Sequence, residues 1–361
     1  MKCFIITIHH IHNFGSVFQA YALAHFLENN GYDAEIIDYR PLYYDVGRSI
    51  IKTIVGRVLN FDSYFKRKRN FEEFISKHEV LSSKRFTNIS ELEAYYRDSN
   101  HIFIVGGDQL WNGYHPCGND DAYKLTFTNS SKKIAYGTSM GRDNFSDEEL
   151  KKLSMLVNGF NKIMLREQST VALLRRYSTV HVSHVIDPVG LLDVKEFESI
   201  AVKPEINEPY AVMYLADSGE LLDLAIELLS EKMGLKIVHI CGFKKKCYCD
   251  YFIKDAGPEE ILGYILHADF VLSASFHATM FSLMFQKQFA TLLPGEQTNA
   301  RIEDLLDFTG LEHRIVHCKE ELEQLGNKVD YSFANKIIEN FREKSRAALL
   351  NTLSEIAEGL S

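Results

Sequence analysis

Short apolar runs recur along this chain, each closed by Gly, Pro, Asn or Asp and followed by a stretch of helical spacing. That alternation leaves few folds open. Residues 2–8 read as a strand and 17–28 as a helix stopped by Asn30-Gly31; 34–38 form a second strand closed by Tyr39-Arg40-Pro41. A β-α-β opening predicts a parallel sheet with a right-handed crossover. Residues 101–105 and 133–136 add buried strands, and 185–188 read as the last strand of this half. The pattern lapses over 194–208, where Pro204 and the following Pro209 punctuate it, and this marks a linker. A second alternation then runs through strands at 210–215, 236–241, 268–273 and 289–293. Helices separate them at 220–232, 258–267, 276–285 and 302–308, and a long helix closes the chain at 335–356. The expected architecture is α/β, with two Rossmann-like domains at residues 1–195 and 209–334 facing a central cleft. The helix within 335–361 is expected to pack across.

At 361 residues the chain has room for two such domains. A formal net charge of -9 argues against the basic footprint of a nucleic-acid binder. No apolar run reaches the ~18–20 residues that span a bilayer, and residues 3–8 are too short for an export signal. A cytoplasmic protein is expected. Residues 48–59 read as an amphipathic helix near the basic run Lys66-Arg67-Lys68-Arg69, with another helix at 70–77. Such a pair suits peripheral contact with anionic headgroups at the inner membrane face, although a helix packed on its own domain with a solvated basic end is the more common arrangement. The six cysteines suggest reduced thiols. Cys241, Cys247 and Cys249 lack the paired spacings of a zinc site, so no metal or cofactor is expected.

Five loops carry polar residues beyond what a turn needs. His277 stands one step inside a strand-to-helix turn, with Ser275 suited to cap the helix. Backbone N–H groups there attract anions, and an imidazole among them can serve as acid, base or phosphate contact. The same placement suits a histidine that bonds a neighbouring loop. Asn13-Phe14-Gly15-Ser16 joins the first strand to the first helix, where Gly15 permits close backbone approach to an anion, although many such turns need a glycine. In Gly106-Gly107-Asp108-Gln109-Leu110-Trp111, paired glycines display Asp108 at a sheet edge, as a general base or as a helix cap. The single tryptophan, Trp111, suits stacking on a sugar ring. Arg166 offers a planar fork for a carboxylate or phosphate, and Glu167 orients it or forms an ordinary helical ion pair. Asn299 and Arg301 precede another helix, binding an anion or closing a loop.

The segments 9–21, 104–112, 134–139, 165–169, 186–191, 268–289 and 299–306, in that order, resemble the polysaccharide pyruvyl transferase family. The resemblance implies a glycosyltransferase-B-like fold and a bacterial enzyme of capsule or exopolysaccharide biosynthesis. It would move pyruvate from phosphoenolpyruvate onto a sugar or lipid-linked oligosaccharide as a cyclic ketal. It maps the family's leading catalytic histidine onto His277 and a donor-binding arginine onto Arg166. Better-studied branches carry arginine and leucine where Ser275 and Phe276 stand, and glycine where Ala278 stands; one anion contact is then missing or supplied elsewhere, with Arg301 the candidate. His277 is expected to protonate the donor, Arg166 to clamp it, Asp108 to deprotonate the sugar hydroxyl and Trp111 to stack on the ring. A glycosyltransferase using a nucleotide sugar would need a similar two-domain cleft, as would a non-catalytic binding protein.

Overall fold

A computed structural model of the chain describes residues 1–46, 61–214, 219–240, 245, 247–293 and 300–359. The amphipathic segment 48–59, Asn299 and Cys241 lie outside these. The chain divides into two compact units. One takes Met1–Arg48, Ile75–Leu192 and Glu339–Ser361; the other takes Ser49–Phe74 and Asp193–Ile338.

The first unit is built on a six-stranded sheet of β1 (Lys2–Ile6), β2 (Asp33–Ile36), β3 (Ile102–Gly106), β4 (Lys133–Thr138), β5 (Lys162–Leu165) and β6 (Val182–His184). Its order is β2-β1-β3-β4-β5-β6, and every pair is parallel. Both faces of such a sheet are covered, so its strands read as continuous apolar runs; all five residues of β3 are buried. Helix α1 (Phe14–Asn29) begins three residues before the expected start, because the Asn13 side chain caps it. Residues 185–187 do not extend the sheet as expected. Asp187 accepts the Val189 N–H at 3.0 Å, Pro188 has no N–H to give a ladder, and Pro188–Leu191 turns as a 3-10 helix instead.

The second unit has β7 (Tyr210–Tyr214), β8 (Lys236–Ile240), β9 (Tyr251–Ile253), β10 (Phe270–Ser273), β11 (Gln288–Leu292) and β12 (Ile315–Val316). The order is β12-β11-β10-β7-β8-β9, again all parallel. The two short edge strands, β9 and β12, escape a reading by apolar pattern. The expected linker holds helix α3 (Val194–Ile200), started where the Asp193 N–H donates to Glu196 at 2.7 Å, and α4 (Pro258–His267) leads into β10.

Helix α2 (Phe61–His78) carries the basic run. Lys66 pairs with Asp255 at 2.8 Å, Lys68 with Glu72 and Arg69 with Glu73, and Arg67 lies over the Phe71 ring. No helix among the described residues is long and apolar enough to cross a membrane. The last helix, α7 (Ser332–Glu358), enters the first unit at Glu339 and seals the 186–191 turn there. Ser345 Oγ accepts the Ile186 N–H at 2.9 Å, Arg342 donates to the Gly190 carbonyl at 3.0 Å, and Arg346 to that of Leu191 at 2.7 and 2.9 Å.

Candidate functional site

The carboxyl ends of the parallel strands in the first unit converge on one polar network, the edge where open α/β sheets bind ligands. After β1, Asn13 Oδ1 accepts the N–H groups of Gly15 (2.9 Å) and Ser16 (3.3 Å), which fixes Ser16 in the first turn of α1. Ser16 Oγ donates to Asp108 Oδ2 at 2.5 Å. Asp108 follows β3 on a strained turn, with Gly107 at φ +67 and Asp108 itself at φ +47. Glycine is required first: a Cβ on Gly107 would lie 1.6 Å from Gln19 Oε1. The Gln19 amide NH2 group in turn donates to Thr7, Ile8 and Ser16, which holds the side chain in place against this turn.

After β4, the Ser139 N–H donates to the Asp108 carbonyl at 2.9 Å, while its hydroxyl donates to Glu167 at 2.5 Å. Glu167 also accepts from the Met140 N–H at 3.3 Å. After β5, Arg166 pairs with Asp187 through Nη1 and with Glu167 through Nε at 3.4 Å; its side chain is only 2% exposed. Burial alone would push the guanidinium down, but Asp187, Glu167 and Asp108 together raise it above its ordinary value.

The network gathers Asn13, Gly15, Ser16, Gly107, Asp108, Arg166 and Glu167, together with Ser139 and Asp187. Three carboxylates surround one guanidinium. That balance changes the expected role of Arg166, which is turned onto protein carboxylates and buried rather than presented as an open fork. Trp111 is also not the expected sugar platform. It is 3% exposed, packs in the hydrophobic core edge-on to Phe160, and donates its indole N–H to the Tyr123 carbonyl at 2.7 Å. Ser139 lies inside a segment that carries the family resemblance, yet nothing in its local pattern distinguishes it from a turn serine.

A second cluster occupies the carboxyl ends of β1 and β2. Asp38, 5% exposed, accepts from His9 Nε2 (3.1 Å), Arg40 Nε (2.5 Å) and Arg85 Nε (2.8 Å). Burial would raise its carboxyl, but hydrogen bonds from these three hold it well below the usual range. Glu79 is 7% exposed, and neither carboxyl oxygen has a hydrogen-bond partner among the described residues. Burial pushes it well above 4.5, with Arg40 opposing and Asp38 assisting. The folded chain thus keeps a proton on Glu79 that the unfolded chain releases above about pH 4.5. The native state binds more protons there, so stability falls as pH rises from that point. Glu79→Gln, a neutral side chain of the same shape that needs no proton taken up on folding, is expected to melt a few degrees higher than the parent at pH 7.5. Melting curves should converge at pH 4; equal melting temperatures at pH 7.5 would show that Glu79 carries no such penalty.

In the second unit, helix α5 (Phe276–Met284) begins as expected. Ser275 caps it, accepting the Ala278 N–H at 3.5 Å, and the Ser275 N–H donates to Ser273 Oγ at 2.9 Å. His277 sits in the first turn, 5% exposed, with its ring edge-on to Phe276. Arg301, on helix α6 (Ala300–Phe308), places its guanidinium 5.9 Å from the centre of the Phe276 ring. Among the described residues no group of three or more His, Cys, Asp or Glu side chains is placed to hold a metal.

Comparison with solved structures agrees on the fold. A UDP-GlcNAc 2-epimerase from Methanocaldococcus jannaschii has a TM-score of 0.55 at 15% identity, with 98% of this chain and 99% of that one covered. MnaA from S. aureus, in a co-structure with UDP, gives 0.57 at 11%, covering 100% and 98%. Arabidopsis thaliana UGT89C1, complexed with quercetin, gives 0.53 at 11%, covering 100% and 99%. At these identities the likeness is one of fold, glycosyltransferase-B-like with two Rossmann-like domains. No curated protein matches the chain in sequence. The model of the family described as polysaccharide pyruvyl transferase, however, matches residues 13–294, a span that holds the Asp108 network and the His277 turn. The chain belongs to the polysaccharide pyruvyl transferase family.

Proposed function

We propose that this protein moves pyruvate from phosphoenolpyruvate onto two hydroxyls of a sugar in a cell-surface polysaccharide precursor, forming a cyclic ketal. The family match over residues 13–294 carries the reading. The charge of the two strand-end sites supports it. Carboxylates outnumber guanidinium around Asp108, which suits a neutral polyhydroxyl that donates hydrogen bonds. The first turn of α5, with His277 in it and Arg301 near Phe276, suits an anion.

In the reaction the methylene carbon gains a proton, the central carbon bonds two sugar oxygens, and its bond to the phosphate oxygen breaks. Of the two hydroxyl protons released, one balances the new methyl group and the other leaves on phosphate. His277 acts as the acid toward the methylene carbon. Asp108 takes the proton of the attacking hydroxyl, with Ser16 holding the carboxylate oriented through its 2.5 Å bond. Arg301 contacts the donor anion. Arg166 serves as a buried strut that keeps Glu167 and Asp187 in place.

The test is incubation of the purified protein with phosphoenolpyruvate and a panel of sugar acceptors, following inorganic phosphate and product mass. A product heavier by one ketal-linked pyruvate, released with one equivalent of phosphate, is the expected result. Glycosyl transfer from a nucleotide sugar, with no phosphate released from phosphoenolpyruvate under any acceptor, would replace this reading with a glycosyltransferase.

A further inference from the structure

The cluster around Asp38 has the construction of a phosphate clamp. Residues 80–86 run beside the segment that follows β2: Ile36 bridges Leu81, Tyr39 bridges Phe86, and the Arg40 N–H donates to the Phe86 carbonyl at 2.8 Å. This pairing fixes the backbones of Arg40 and Arg85 side by side. Each side chain then docks on Asp38 through Nε alone, at 2.5 and 2.8 Å. Docking through Nε leaves the terminal nitrogens of both guanidiniums without a hydrogen bond or ion pair to any described residue. Arg40 is 26% and Arg85 58% exposed, so both forks reach solvent. Asp38 supplies one negative charge against two positive ones. The nearby Glu79, buried and pushed up, does not supply the second. A planar guanidinium fork with a free edge matches the oxygens of phosphate, and two such forks on one rigid anchor fit a phosphate or diphosphate.

The clamp adjoins the Asp108 network. His9, on Asp38, lies ring to ring with His10 at 5.4 Å, and His10 with Tyr44 at 5.3 Å. The Tyr44 phenol is within electrostatic range of Asp108. His10 is half-buried, and its Nδ1 is enclosed without a hydrogen-bond partner among the described residues. Burial foremost, then His9 and Arg40, push this imidazole down to about 3, so it lies along the track as a neutral polar ring. Aromatic and neutral polar groups between a carboxylate and a cationic fork are the surroundings a sugar joined to phosphate requires.

We propose that Arg40 and Arg85, presented by Asp38, form a phosphate-binding subsite for a glycosyl phosphate or diphosphate whose sugar extends toward Asp108. The direction of the sugar rests on the transferase reading given above; the anion subsite does not. Calorimetric titration of the full chain at physiological ionic strength tests both. Inorganic pyrophosphate should bind saturably. Arg85→Gln and Arg40→Gln, each compared with the parent by circular dichroism and melting, should each weaken it about tenfold or more, as loss of a charge-assisted fork does. Pyrophosphate affinity unchanged in both variants, or no saturable binding to the parent, overturns the subsite. A glycosyl diphosphate should bind more tightly than pyrophosphate, with that gain lost in Asp108→Asn. A gain that survives in Asp108→Asn leaves the subsite standing and overturns the sugar's direction and the role of Asp108. A nucleoside diphosphate sugar and a short-chain prenyl diphosphate sugar, titrated separately, show by the tighter of the two which carrier the subsite accepts.

Discussion

Replacing His277 by alanine is expected to lower ketal-forming turnover at least ~100-fold, the lower end of what a general acid contributes. The side chain is 5% exposed, so its removal also opens a small void in the first turn of α5. His277→Asn keeps much of the volume and a hydrogen-bonding head while lacking a titratable nitrogen. Both variants should retain the parent's circular dichroism and should lose turnover alike. If the asparagine variant works at the parent's rate, His277 is a packing residue and the proton comes from another group. Single-turnover phosphate release measured beside steady-state rates separates a lost chemical step from weakened donor binding.

The second large effect falls on stability rather than rate. Arg166→Met would leave Asp187 and Glu167 buried beside an apolar chain, and breaking a buried pair in this way costs about 3–5 kcal/mol. The two carboxylates are not equally exposed to that loss. Glu167 keeps its bonds from Ser139 and Met140, whereas Asp187 keeps the Val189 N–H. Arg166→Met combined with Asp187→Leu should therefore recover much of the stability, since well-packed apolar replacement of a buried pair is often neutral. Urea unfolding of the parent, the two single variants and the double variant gives the coupling directly. If Arg166→Met unfolds at the parent's midpoint, the ion pairs do not hold this edge of the sheet. A donor-clamp role predicts the opposite pattern: little change in stability and a large rise in KM for phosphoenolpyruvate.

Pattern reading reached the strands that are buried on both faces, because β3 is an unbroken apolar run and β10 is one up to its closing Ser273. It reached the helix that Ser275 caps, whereas the Asn13 cap went unread and α1 starts three residues ahead of its expected position. Trp111 was not legible. An aromatic residue a few positions past a strand end can face solvent or core, and only the Tyr123 carbonyl, twelve residues on, decides it. Asp187 was hidden inside an apolar stretch that reads as strand until Pro188 is seen to turn. The Asp38 cluster was out of reach altogether. His9, Asp38 and Arg85 come from three separated segments, and only the parallel pairing of β1 with β2 and the bridges to residues 81 and 86 bring them to one point.

The turn at residues 186–191 is sealed by Arg342, Ser345 and Arg346. A ribosome makes those three side chains only after it has made the entire 193–338 stretch. The unit that starts first thus finishes second, and its carboxyl edge stays open throughout that interval. Released chains truncated after residue 338 should expose this edge to protease while the later unit is already resistant.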